Sequence, residues 1–495
     1  MELPLVRAPA TSESPRNQSI LFNPGGPGAS GIGLIVQGYA SFRLLFGDDF
    51  DLIGFDPRGV NHTMEWVCSS DVADPSDTLV SLNPDVIADV ISLSTEQGIL
   101  CQNQTLEQGT LLGTAFVARD MMEIIKALNE DGMLRYVGYS YGTLLGATFA
   151  AMFPDNVDKM ILDGNVNPPG WYHGLSDASW YQEGDETLAG FFDGCVTYPE
   201  NCGLENANTN TGEDLLKDYQ TFVQQLRNGS LQTTNGAGDV LSGHDLETEF
   251  YQTLYSPTGW PDYSSQLQVY YDNAVTQNGS SNATISSRSY RHWKRDDTAD
   301  NNVDVQWAIQ CGEGGYTNNG ATVNSILSLS QNYSETAPDF SADALMGNYL
   351  ECVGWKMRAK EIYNGNFQVE TKNPILFANG RFDPVTPLAD AKYASSLFTG
   401  SRVLETTGYG HTTLEQFSTC ALAYERNYMR NGTLPDLGTV CDVHWPVFSV
   451  KSPIDTFDIL TRREESFENE VDMLAHVGIS LQSSIPKPKR KAALH

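Results

Sequence analysis

The sequence is poor in positive charge: 30 Lys and Arg stand against 62 Asp and Glu, a formal net charge of −32 over 495 residues. Such a field repels nucleic acid and anionic membrane surfaces, so neither is expected as a partner, and it attracts cations, free peptide amino termini among them. There is no stretch of about 18 apolar residues, so no membrane-crossing helix is expected. No cysteine lies in a Cys-x-x-Cys pair or beside a histidine at zinc spacing, so no metal site is expected. No Gly-Lys-Ser/Thr follows the glycine-rich segment near the start, which argues against a phosphate cradle, and no cofactor is expected. Internal repeats and coiled-coil heptads are also missing. Residues 1–9 lack a basic region followed by an apolar run, so no secretory leader is read there.

What is present describes a large globular protein. Hydrophobic residues make up 40% of the chain, enough to exclude a wholly disordered polymer. The length suits one large domain carrying an inserted second one. Eight cysteines fall as neighbours along the chain, and pairing in that order closes short loops: Cys68 with Cys101, Cys195 with Cys202, Cys311 with Cys352, Cys420 with Cys441. Eight Asn-x-Ser/Thr sequons accompany them, at Asn17, Asn61, Asn103, Asn228, Asn278, Asn282, Asn332 and Asn431. Both features point to an oxidising, secretory route and an extracellular protein. Against the missing leader, that reading expects the chain to begin late. The basic run Lys487-Pro488-Lys489-Arg490-Lys491 reads as part of a disordered tail over 481–495.

Apolar runs at 19–22 and 51–55 read as strands, closed by Asn23-Pro24-Gly25-Gly26-Pro27-Gly28 and by Asp56-Pro57-Arg58-Gly59. Helical spacing covers 115–128, a buried strand 134–138, a helix 141–153 and a strand 159–162. Alternating strands and helices predict an α/β fold with a mostly parallel sheet and helices on both faces. From about 167 to 372 the alternation stops and Asn, Gly, Ser and Tyr abound, with a helix at 212–227 and a polar loop at 278–304. Strands resume at 374–378 and 401–406. The expected layout is a first core segment (1–166), an inserted cap (167–372) and the last strands with a C-terminal region (373–480).

Gly138-Tyr139-Ser140-Tyr141-Gly142 lies between a strand and a helix, where a sharp turn presents Ser140 above the sheet as a nucleophile. A serine hydroxyl needs a base within hydrogen-bond reach, and the base needs a carboxylate to orient it. In the chain order Ser, acid, His, the base is His411, which follows the strand at 401–406. Asp383 and Asp163 both follow strands and compete as the acid, with Asp383 preferred. The bland reading of Asp383 is a turn residue ahead of Pro384. An oxyanion hole needs two N–H donors. Tyr141 supplies one and Gly26 the other, with Gly25 and Gly28 as alternatives, since Pro27 has no N–H.

Together with Gly380-Arg381-Phe382-Asp383-Pro384-Val385-Thr386-Pro387 and Gly410-His411, these motifs resemble the tripeptidyl-aminopeptidase-like branch of the prolyl aminopeptidase family, over residues 1–450. The stretch from Thr419-Cys420 to Gly438-Thr439-Val440-Cys441 looks like that branch's C-terminal region. The resemblance implies the α/β-hydrolase fold, peptide substrates, and a serine exopeptidase using Ser140, Asp383 and His411. The family has a leader and an additional N-terminal strand pair, neither of which is read here. Gly312-Glu313 also stands where Cys-x-Asp is expected. An aminopeptidase must recognise a free ammonium, and Glu313, beside Cys311 and between Gly312 and Gly314, is the candidate. A carboxylesterase or lipase on the same triad is the main rival. A non-catalytic binding protein is a second, opposed by the retention of all three triad residues.

Overall fold

The computed structural model describes residues 1–68, 84–173, 183–235, 237–276, 302–314, 321–336, 349–350 and 352–449. Strands β1 (Leu5–Ala8), β2 (Ser19–Asn23), β3 (Asp51–Phe55), β4 (Leu134–Tyr139) and β5 (Val157–Asp163) precede a long stretch holding three short strands, β6 (Leu231–Thr234), β7 (Val240–Leu241) and β8 (Val275–Thr276). Strands β9 (Leu376–Phe382), β10 (Arg402–Tyr409) and β11 (Val440–Cys441) complete the fold. Eight of these form one sheet in the order β1-β3-β2-β4-β5-β9-β10-β11, parallel throughout except for β1, which runs antiparallel to β3. β6, β7 and β8 form a small separate sheet.

Between the strands run helices α1 (Gly31–Phe46), α2 (Pro84–Gly109), α3 (Thr114–Leu128) and α4 (Tyr141–Met152). The insertion contributes α5 (Pro168–His173), α6 (Gly184–Thr197), α7 (Gly212–Arg227), α8 (Gly243–Leu254), α9 (Trp260–Asp272), α10 (Asn302–Glu313) and α11 (Val323–Thr336). The last core helices are α12 (Leu388–Leu397) and α13 (Thr419–Asn431). Among the described residues no helix is long and apolar enough to cross a membrane.

The central strands are buried on both faces, so their side chains alternate between two apolar layers. Ile20, Phe22, Val137, Tyr139 and Ile161 join α1 and α13 in one layer. Leu21, Tyr136, Met160 and Leu162 face the other, with α3, α4 and the insertion. The insertion shares that layer with the sheet. Phe191 of α6 packs 4.8 Å from Phe250 and 5.5 Å from Trp260, and Trp260 lies 5.6 Å from Tyr409 at the end of β10.

Asp56, at the end of β3, is fully buried and accepts from Ser30 Oγ at 2.5 Å, while Ser30 caps α1 by accepting from Gly33 N–H. Arg58 makes two bonds to Asp120 of α3, at 2.6 and 2.8 Å. The Asp-Pro-Arg-Gly motif therefore ties two helices to the end of β3. Cysteines pair as expected, Cys68–Cys101, Cys195–Cys202, Cys311–Cys352 and Cys420–Cys441.

The N-terminal edge corrects one expectation. Leu5–Ala8 forms an antiparallel strand on β3, although no strand is read there from the sequence. Its four residues alternate exposed and half-buried, which gives a short edge strand no apolar signature. Of the sequons, Asn17, Asn103, Asn228 and Asn431 are exposed and Asn61 is half-buried; Asn278 and Asn282 lie outside the described residues. The loop expected at 278–304 lies almost wholly outside them, and the tail at 481–495 entirely so.

Candidate active site

Ser140 sits at the joint between β4 and α4 with φ 56° and ψ −126°, a backbone conformation costly for a residue with a side chain, of order 1–3 kcal/mol. The neighbours make the turn possible. A Cβ on Gly138 would collide with the carbonyl of Gly142, and one on Gly142 would come within 2.7 Å of the Asn23 carbonyl, so strand and helix close up only with glycine at both positions. The Ser140 N–H donates to the Asp163 carbonyl at 3.0 Å, which anchors the turn to β5.

The loop after β2 folds over this joint. Gly25 has φ 98°, and a Cβ there would lie 2.8 Å from Ser140 Cβ and 3.0 Å from the Tyr141 nitrogen. Its N–H donates to Asn23 Oδ1 at 2.9 Å, whereas Gly26 is exposed beside it. Tyr141 opens α4, and its N–H belongs to the first turn, where helix amides lack partners inside the helix.

On the opposite side, His411 follows β10. Its Nδ1 lies 3.1 Å from Asp383 Oδ2 and 3.2 Å from Oδ1. Asp383 is fully buried and also accepts from the backbone N–H groups of Val385, Thr386 and Thr412 and from Thr386 Oγ1, all between 2.8 and 3.0 Å. The turn role and the histidine contact thus occur in one residue: the N–H groups of the following turn fix the carboxylate that faces the imidazole. Burial lowers the pKa of His411, but the charge and hydrogen bond of Asp383, with Glu415 and Asp163, outweigh it and raise the value.

Asp163, the competing acid, is also fully buried but turns elsewhere. It accepts from Thr413 N–H at 2.9 Å and from Thr413 Oγ1 at 2.8 Å. Burial pushes its pKa up to about 7, against the lowering effect of those bonds. Among the described residues no hydrogen bond joins Ser140 Oγ to His411. Gly164, next to the Asp163 carbonyl that holds Ser140, lies beside His411: a Cβ there would come 3.4 Å from His411 Cε1.

Several supporting residues escape sequence reasoning. Tyr255, after α8 of the insertion, accepts from the His411 N–H at 2.9 Å, and its ring meets the imidazole edge-on at 5.5 Å. Tyr251 donates to the Pro384 carbonyl at 3.0 Å. The insertion therefore holds both loops that carry Asp383 and His411. Nothing in an Asn-, Ser- and Tyr-rich segment marks these two tyrosines.

Glu313 ends α10 and is fully buried. Oε2 accepts from Thr114 N–H at 2.7 Å; Oε1 accepts from Trp171 Nε1 at 2.9 Å and from Thr114 Oγ1. Both oxygens are occupied from within the protein, so the carboxylate does not present itself to a substrate ammonium as expected.

The chain matches the alpha/beta hydrolase fold family over residues 18–417. It is similar to serine protease Hip1 of Mycobacterium tuberculosis, 27% identical over 461 residues that cover 89% of this chain and 83% of that protein. It is similar to tripeptidyl aminopeptidase of Streptomyces lividans, 25% identical over 408 residues, 79% of this chain and 71% of that one. Carboxylesterase B of Mycobacterium tuberculosis is 27% identical over 459 residues, 89% and 82% of the two chains.

Proposed function

This chain belongs to the alpha/beta hydrolase fold family, and from that premise we propose that it is a serine exopeptidase cleaving peptides near their free amino termini. Ser140 is the nucleophile, His411 the base and Asp383 the residue that orients His411. Gly26 and Tyr141 supply the oxyanion N–H groups. The observation that carries the reading is the contact of His411 Nδ1 with Asp383, across the site from a serine held at positive φ.

In this scheme His411 Nε2 takes the hydroxyl proton as Ser140 Oγ attacks the scissile carbonyl. The oxyanion is held by the two N–H groups, and the protonated imidazole gives its proton to the departing amine. Water, deprotonated by His411, then attacks the acyl carbon; the bond to Ser140 Oγ breaks, and Oγ takes the proton back from His411. Asp383 stabilises the imidazolium and keeps its proton on Nδ1.

Peptides are favoured over simple esters by the relatives named as serine protease and tripeptidyl aminopeptidase, and by a net charge of −32 that concentrates free amines. The relative named carboxylesterase B supports an ester hydrolase as the second reading. Residues 167–372 form the substrate-measuring cap, consistent with the grip of Tyr251 and Tyr255 on the triad loops. Four disulfides favour an oxidising compartment outside the cytosol. Digestion of a mixed peptide library, with products read by mass spectrometry, tests the reading. Short peptides released from free amino termini are expected. Internal cleavage, or equal cleavage of amino-blocked peptides, would remove the exopeptidase assignment, and turnover of esters alone would select the second reading.

A further inference from the structure

Among the buried carboxylates outside the proposed triad, Glu313 binds two separate helices of the chain. Its partners lie at the start of α3 and in α5, and through Thr114 it reaches Tyr141 at the joint beside Ser140. Thr114 N–H, one of the unpaired first amides of α3, donates to Oε2 at 2.7 Å. Trp171 Nε1 donates to Oε1 at 2.9 Å, and the Thr114 hydroxyl bonds to the same oxygen. That hydroxyl lies 2.6 Å from the hydroxyl of Tyr141, whose ring packs 5.6 Å from the Trp171 ring. Thr114, Trp171, Tyr141 and Glu313 are each at most 3% exposed, so water does not compete for these bonds.

We propose that Glu313 is a positioning residue for the oxyanion site: through Thr114 and Trp171 it fixes the Tyr141 side chain, and with it the Tyr141 N–H at the head of α4. The inference rests on the assignment of that N–H to the oxyanion hole. The ring is held at its hydroxyl tip by Thr114 and on its flank by Trp171, and both holders are fastened to one carboxylate. The end of α10 is itself secured, by the Cys311–Cys352 disulfide and by Arg358 Nη1 donating to the Gly314 carbonyl at 3.0 Å.

Donor and acceptor counting makes the carboxylate specific. Ionised Glu313 accepts all three bonds, so the Thr114 hydroxyl donates to it and accepts from Tyr141. Protonated on Oε1, Glu313 donates to Thr114 Oγ1, and the Thr114 hydroxyl turns to donate toward Tyr141. Glutamine fits neither arrangement: its NH₂ group would face the Trp171 N–H or the Thr114 N–H, whichever way it turned. The charged and titratable groups facing Glu313 are Arg358, Tyr141 and Tyr172. Burial outweighs the donors and Arg358 and lifts the carboxyl to about 7, so the reversal of the chain falls in the neutral range.

The test compares kcat and KM of wild type, Glu313→Gln, Thr114→Val and Tyr141→Phe on p-nitrophenyl acetate and on a free-amine peptide p-nitroanilide. Circular dichroism verifies that each variant is folded. Losing an oxyanion donor outright costs about 10²–10³ in kcat, and a displaced one is expected to cost roughly tenfold, on both substrates, with KM little changed. Glu313→Gln combined with Thr114→Val should be no worse than the worse single change, because both cut one chain. The kcat–pH profile of the wild type should also lose a titration near 7 in Glu313→Gln. A loss confined to the peptide and expressed in KM would overturn the proposal in favour of an amine site, and unchanged kcat in the variants would overturn it outright. If Glu313→Gln fails to fold, Thr114→Val and Tyr141→Phe keep every backbone amide and carry the test. Should a fluorophosphonate fail to label Ser140, the oxyanion assignment itself falls; with Ser140 labelled and kcat unchanged, only the role of Glu313 does.

Discussion

His411 Nδ1 lies 3.1 Å from Asp383 Oδ2, while the carboxylate of Asp163 is bonded to Thr413. Asp383→Asn puts an amide against an imidazole nitrogen that must carry its proton on that side. It should lower kcat by about 10⁴ with the fold intact. Asp163→Asn removes no bond to His411 and should cost far less. Steady-state kinetics on one ester substrate compare them, and a larger loss at Asp163 would transfer the orienting role to it.

Gly25→Ala tests the loop over Ser140, the proposed nucleophile. The new methyl would lie 2.8 Å from Ser140 Cβ and 2.5 Å from the Tyr139 carbonyl, at a φ of 98°. Moving the loop away displaces Gly26, the proposed second oxyanion donor. A kcat loss of roughly 10²–10³ is expected, with about 1–3 kcal/mol of stability lost in urea titrations. Wild-type turnover in this variant would separate the loop from the chemistry.

Stability should depend on pH with a definite sign. Burial raises Asp163 from 3.8 to about 7 and Glu313 from 4.5 to about 7, and lifts Glu425 well above its ordinary value. Across roughly pH 4.5 to 7 the folded protein therefore holds more protons than the unfolded chain, and stability falls as pH rises. His411, also raised, acts in the same sense: its contribution is full below about 6.5 and is lost as pH rises through its folded value. The lowered carboxylates, Asp131, Asp214 and Glu405, act only at the acid end, where their contribution is lost as pH falls. His244, lowered by burial, acts the other way as a single group against the several raised ones. The thermal midpoint should be higher at pH 5 than at pH 8, with a smaller difference in Asp163→Asn. Calorimetry at the two values decides it, and a midpoint no higher at pH 5 would contradict the assignment.

The disulfide Cys420–Cys441 fastens the start of α13 to the edge strand β11 across 21 residues. Replacing both cysteines by serine frees a loop of that length in the unfolded chain and should cost about 3 kcal/mol. Denaturant midpoints measure the loss, and an unchanged midpoint would show that the edge is held by packing alone.

How much of this the sequence discloses depends on whether a feature is local. The joint at Ser140 is legible because glycines at 138 and 142 and a strand-to-helix change occur within a few residues. The choice of acid is less so, since Asp163 and Asp383 both follow strands. What separates them is that Thr412 N–H points at one and Thr413 N–H at the other. Glu313 stands out as a carboxylate, but its partner Thr114 lies 199 residues away, and nothing local distinguishes a carboxylate facing a substrate from one facing a helix end. Tyr251 and Tyr255 are invisible for the same reason, and β1 because an edge strand of four residues needs no apolar face.

The most direct test of the central claim is fluorophosphonate labelling followed by tandem mass spectrometry of the tryptic peptides. A single adduct on Ser140, lost in Ser140→Ala together with all hydrolysis, is the predicted result. An adduct on any other residue, or labelling that survives Ser140→Ala, would contradict the account.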